Sequence, residues 1–287
     1  MRTTMAGALA LSLAACGTPM RVPMDPLAKS RLGEVKVIEV LAQDEVVVRP
    51  PPSASAGAAG GLLGVVIESK VGESRQNDLQ AALTPFYASV DDFDFRSQFN
   101  ASLSTALAQD KSIRVGQVEH ASQKLLDTEL KKQRNALPAG NALMVCTTDY
   151  TFSPDFTRLS ITTRVEMTQP GAVEPLFKNT YFYQSAGLGK GGSESLSAWG
   201  ENKGARYRSA AGEGASQIAR MIGLDLAAGT GEPVQPVLAV SRHDFFGSFD
   251  IKGPVLSSEA DRVIMRDTHV FAGSLHSLPY NAGGQPK

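Results

Sequence analysis

Residues 143–167 read LMVCTTDYTF-SPD-FTRLSITTRVEM, and this stretch decides the fold. Two apolar-rich runs, 143–152 and 156–167, flank Ser153-Pro154-Asp155, three residues that favour a turn. On the return run Leu159, Ile161, Thr163, Val165 and Met167 fall on one side. Ser160, Thr162, Arg164 and Glu166 fall on the other. A period of two with that contrast predicts a hairpin with one buried face and one wet or half-covered face. Gln169-Pro170-Gly171 then turns the chain towards a third strand over 176–184.

Working outward, a glycine-rich loop leads to a helix expected from Trp199 to Leu226. Tyr207, Ala211, Ala215, Ile218, Ile222 and Leu226 form its apolar stripe, which Gly212 and Gly214 weaken. Upstream, 34–40 and 45–48 read as short strands stopped by Pro50-Pro51-Pro52. Helical spacing over 68–83 is expected to end at Pro85. Asp91 is expected to cap the next helix, with Asp94 in its first turn and Val90 stapled to Phe95. Phe95, Phe99, Leu103 and Leu107 step by four along its inner face. Residues 113–118 read as a strand, and 122–134 as a charged, exposed helix with Leu126 and Leu130 inward.

This order predicts an α+β fold, a mostly antiparallel sheet with helices packed on one side. From Pro233 the chain breaks into short β-prone pieces, giving a β-rich C-terminal extension over 233–287. Residues 261–266 (DRVIMR) echo 44–49 (DEVVVR), so the extension is a candidate to pair with 34–49 as a small β subdomain. The main domain is then 34–232.

Residues 54–67 carry no charge and contain two overlapping GxxxG spacings, Gly57/Gly61 and Gly60/Gly64. Glycines four apart share a helix face and let another backbone approach. The stretch fits a packed or interface helix, including one between copies of the chain, or a flexible loop. A membrane span is the third reading, although about fourteen residues rise only roughly 21 Å against a core near 30 Å.

Chemistry is hard to find. The chain has 287 residues, 42% hydrophobic and 20% charged, with a net charge of −1, so no basic face marks it for nucleic acid. Residues 187–192 match GxGxxG, but they follow antiparallel candidates instead of opening a βαβ unit, so no dinucleotide cofactor is expected. His120, His243, His269 and His276 lack metal-ligand spacing; the tail histidines would have to meet in space to hold a metal. Ser274 and His276 would share a strand face, without a visible third partner. Asp91, Asp92 and Asp94 read as helix-start residues, not a glycosidase pair. Cys146, on an apolar strand, reads as a small buried hydrophobe. No catalytic, cofactor or metal residue is assigned, and an enzyme with a scattered site stays open.

At the N-terminus, Arg2 precedes a short apolar run that ends in Leu13-Ala14-Ala15-Cys16. This resembles the lipobox of bacterial lipoproteins. The resemblance implies a signal peptide over 1–15, diacylglycerol on the Cys16 thiol and an acylated Cys16 amine. Gly17 follows in place of the Asp that retains lipoproteins in the inner membrane, which implies export to the outer membrane. Residues 16–33, with three prolines, read as a lipidated tether. Losing Arg2 with the signal takes the net charge from −1 to −2. The element order is loosely similar to small periplasmic lipoprotein domains of cell-wall-synthase activators and curli-type export lipoproteins. That likeness implies work by protein contact in the envelope, as scaffold, assembly factor or regulator. The alternatives are an envelope hydrolase with a non-local site and an export or pore subunit inserting 54–67.

Overall fold

A computed structural model describes residues 20–48, 77, 81–109, 113–228, 236–244 and 247–280. Cys16, residues 1–15 and the 54–67 stretch with Gly57, Gly60, Gly61 and Gly64 lie outside the described residues. In chain order the first elements are α1 (Pro26–Ser30), β1 (Glu34–Val40), β2 (Val47–Val48), α2 (Thr84–Ser89), α3 (Phe95–Gln109) and β3 (Arg114–Ala121). Next come α4 (Asp127–Asn135), β4 (Ala142–Phe152), β5 (Leu159–Thr168), β6 (Phe177–Gln184) and α5 (Gly192–Ala228). The chain closes with β7 (Val237–Asp244), β8 (Gly247–Ser258), β9 (Arg262–Arg266) and β10 (Leu275–Pro279).

The fold is α+β, built on one open, mixed sheet of ten strands. Its order is β3-β1-β4-β5-β6-β10-β9-β8-β7, with β2 also beside β4. The hairpin β4–β5 is antiparallel, pairing Phe152 with Leu159 and Leu143 with Thr168, and β5–β6 continues it. Parallel pairing appears where crossovers feed it: β3 and β4 flank β1, and β10 lies alongside β6. The return strand starts later than expected, because Phe156 adopts φ 60° in the turn. Its carbonyl accepts the Trp199 indole N–H at 2.7 Å.

The main core lies between the sheet and α2, α3 and α5. The expected stripes are buried: Phe95, Phe99, Leu103 and Leu107 on α3, and Tyr207, Ala211, Ala215, Ile218, Ile222 and Leu226 on α5. Asp94, not Asp91, caps α3, accepting from the Ser97 N–H at 3.0 Å and the Ser97 hydroxyl at 2.5 Å. Pro85 opens α2 instead of ending a helix, since a first-turn proline lacks only an N–H that has no helical partner. Helix α5 is broken at 201–204, where Asn202, Lys203 and Gly204 take positive φ.

Helix α4 is the exception to one-sided packing. Leu125, Leu130 and Leu137 meet Ile38, Val40 and Leu143 on the opposite sheet face. Handedness accounts for this: β1 to β3 and β3 to β4 are parallel crossovers running in opposite directions, so right-handed connections need opposite faces. Leu126, expected inward, is 64% exposed, because α4 begins after it and its N–H is taken by the Glu129 carboxylate at 3.0 Å.

Among the described residues, 34–48 and the C-terminal strands do not pair with each other. β1 and β2 lie against β3 and β4, while the C-terminal strands join through β10 next to β6. A hairpin-like composition was common to both ends and carried no register. The described part of 16–33 is bound to the domain instead of standing free. Val22 and Lys178 exchange backbone hydrogen bonds of 2.8 and 2.9 Å, and Met24 is fully buried.

Candidate functional site

Much of the sheet face away from α2, α3 and α5 is floored by polar side chains. Thr147, Asp149 and Thr151 come from β4, Ser160, Thr162 and Arg164 from β5, and Thr180 from β6, each set by the two-residue period of its strand. One wall is α4. The other forms because the far end of the sheet curls back: β7 lies four positions from β6 in the sheet order, yet its end touches β6. There the Gln184 amide accepts the His243 N–H at 3.0 Å and donates to the His243 carbonyl. A cleft results between α4 and β7.

The cleft has two compartments that share Arg164 and Thr180. The one beside β7 has a volume of about 250 Å³ and is lined by Thr162, Phe182, Arg242, His243, Phe271 and the N-terminal Met20. The one under α4 has about 680 Å³. Arg164 is held by Asp149 at 2.8 Å across the floor. Arg242, 5% exposed, lies 4.0 Å from the ring centroid of Phe182 and 5.3 Å from that of Phe271, so its cation sits on aromatic faces.

Behind Arg242, Ser274 and His276 do come together. The Ser274 hydroxyl is 2.8 Å from His276 Nε2, and both residues are fully buried. The group near Nδ1 is the Arg242 guanidinium, at 3.5 Å. A hydrolytic triad places a carboxylate there to stabilise the imidazolium. Here burial first, and then the neighbouring cation, push the His276 pKa well below its usual value. Burial and the cation thus both disfavour an imidazolium where a triad stabilises one. His243 meets the Ser248 hydroxyl at 2.7 Å through Nδ1, while His269 meets its neighbour Thr268. Among the described residues no three His, Cys, Asp or Glu side chains group as metal ligands.

A second polar cluster lies beneath α3. His120, Glu39 and Cys146 are cross-strand neighbours on β3, β1 and β4. The Ser104 hydroxyl donates to Glu39 Oε1 at 3.1 Å, and His120 Nδ1 lies 3.0 Å from Oε2. Burial raises the Glu39 carboxyl to about 7, and the Ser104 hydrogen bond offsets part of that. Burial also pushes the Cys146 thiol far above its usual range, which suits the inert role expected from its strand. The GxGxxG loop folds on itself: the Ser195 hydroxyl donates to the Leu188 carbonyl at 2.6 Å and accepts the Gly191 N–H at 2.9 Å. Asp91 and Asp92 sit before α3, Asp92 paired with Arg208.

Sequence reading had the polar floor in Ser160, Thr162 and Arg164. It missed Arg242 and Arg134, because nothing local says which connections will cross that face. No helix among the described residues is long and apolar enough to cross a membrane. No protein-family model matches the chain, and no curated protein is significantly similar to it.

Proposed function

We propose that the chain is a lipoprotein anchored in the outer membrane through Cys16, with a periplasmic domain that works by binding an envelope protein at the open-face cleft. The observation that carries this reading is the make-up of the cleft. It offers threonine and serine hydroxyls, a paired Arg164–Asp149 and an aromatic-backed Arg242, which are groups that hold a partner. The serine–histidine pair behind Arg242 is buried, does not line the cleft and is backed by a cation, which favours binding over hydrolysis. The N-terminal segment adds support. Met20 lines the cleft four residues after Cys16, a reach of at most about 14 Å, so a lipid there would hold the cleft beside the bilayer.

A photo-cross-linking side chain at Thr162, compared with one at the exposed Arg206 on α5, tests the reading in cells. The expected result is one discrete envelope protein trapped from Thr162 and not from Arg206, and lost with Cys16→Ser. Equal products from both positions would overturn the cleft as the contact surface. Turnover of peptidoglycan or ester substrates by the purified protein, abolished by Ser274→Ala, would overturn the binding reading in favour of hydrolysis.

A further inference from the structure

Helix α4 stands off the sheet and leaves a space beneath it. It rests on the face through Leu130 and the flanking Leu125 and Leu137, while one side of the helix is charged. Asp127, Lys131 and Arg134 line the space, as helical spacings of four and three require, and Lys124 joins them from the segment just before α4. From the floor come Arg164, Glu166 and Lys178, so five cations face two carboxylates in a chain whose net charge is −1. Arg164 is taken by Asp149, and Lys178 lies 4.0 Å from Glu166. Lys124, Lys131 and Arg134 have no carboxylate partner among the described residues. Arg134 also keeps its Nε buried without a hydrogen-bond partner. A half-buried guanidinium with an unmet donor costs free energy unless something accepts from it.

The rest of the lining is hydrocarbon interspersed with Thr147, Thr168, Asn179 and Thr180. Leu130 from the roof and Leu143 and Val145 from the floor border the same space. Its volume of about 680 Å³ falls in the range of sites for small organic ligands. We propose that this compartment binds an anionic amphiphile. Its phosphate or carboxylate lies among Lys124, Lys131 and Arg134, and its hydrocarbon lies against Leu130, Leu143 and Val145. The inference deepens the binding reading of the cleft by giving one compartment its ligand chemistry. Because purified protein suffices to test it, it can fail while the Thr162 cross-link to an envelope protein still stands.

Titration calorimetry on the mature chain carrying Cys16→Ser uses dodecyl phosphate below its micelle concentration. Inorganic phosphate and the uncharged dodecyl maltoside separate the head from the tail. The expected result is one dodecyl phosphate per chain, with inorganic phosphate and dodecyl maltoside each at least about tenfold weaker. The double variant Lys131→Gln/Arg134→Gln changes exposed and half-buried groups and should keep its circular dichroism spectrum. It should lose roughly tenfold or more in dodecyl phosphate affinity, as the loss of charge-assisted hydrogen bonds implies. Leu130→Gln should weaken dodecyl phosphate and leave inorganic phosphate unchanged. Binding insensitive to all three substitutions would overturn the site. Equal affinity for inorganic phosphate would overturn the amphiphile, and equal affinity for dodecyl maltoside would overturn the anion.

Discussion

Glu39 shows what a single burial does to a strand that otherwise reads as plain β. It is 1% exposed, with His120 on one neighbouring strand, Cys146 on the other and Ser104 above. In the folded chain its carboxyl titrates at about 7, against 4.5 for an unburied one, so the folded state holds that proton more tightly than the unfolded state. The stabilisation is therefore complete below about pH 4.5 and is lost as pH rises through 7. Urea titrations should find the protein about 1–3 kcal/mol less stable at pH 8 than at pH 5 through this group. Glu39→Gln should flatten that leg and make the protein more stable than wild type at pH 8. An unchanged pH slope in Glu39→Gln would mean that His120 keeps the carboxylate charged throughout.

At the scale of elements, the period-two strands and the four-residue steps were legible because burial on one face leaves a mark at every turn of the chain. Phe99 on α3, 1% exposed, is the plainest case. Phe99→Ala should cost about 3–5 kcal/mol in a denaturant titration, and a loss below 0.5 would contradict the packing of α3 against the sheet. Glycines misled the reading of α5, because they mark two different things. A Cβ on Gly214 would sit 2.4 Å from Ile161 Cδ1 and 2.8 Å from the Tyr183 ring, so that glycine lets the helix lie directly on β5 and β6. At Gly212 the nearest atom is the Gln98 amide nitrogen at 2.9 Å, the far end of a flexible side chain. Alanine gains about 1 kcal/mol of helix propensity at either site. Gly212→Ala should therefore be neutral or stabilising by calorimetry, whereas Gly214→Ala should destabilise by roughly 1–2 kcal/mol because overpacking wins. Equal effects at the two sites would remove close approach as the role of Gly214.

At the scale of the whole molecule, the parts hidden from the sequence are those set by long-range connection. Handed crossovers put α4 on the open face, and the curl of β7 onto Gln184 makes the opposite wall. Neither leaves a local mark, so the polar floor was readable and the cleft was not. The attachment of the N-terminal segment is of the same kind. Asp225 of α5 is fully buried and gathers Arg21 at 3.0 Å, Arg266 of β9 at 3.0 Å, and Asn179 and Tyr181 of β6 at 2.5 and 3.1 Å. One carboxylate thus joins the chain's beginning, the middle of the sheet, the C-terminal strands and the long helix. Removing it takes away the charge that two guanidiniums share in a buried place, a change that costs about 3–5 kcal/mol in comparable networks. Asp225→Ala should lower stability by that amount in a denaturant titration. Arg21 is the outermost member, 14% exposed in its side chain, and its loss leaves the Arg266 pair in place. Arg21→Ala should then cost far less globally while exposing residues 20–33 to limited proteolysis at native pH. If Arg21→Ala were as costly as Asp225→Ala, the N-terminal segment would be an inseparable part of the core. Unchanged proteolysis would mean instead that Val22 and Met24 hold it without the ion pair.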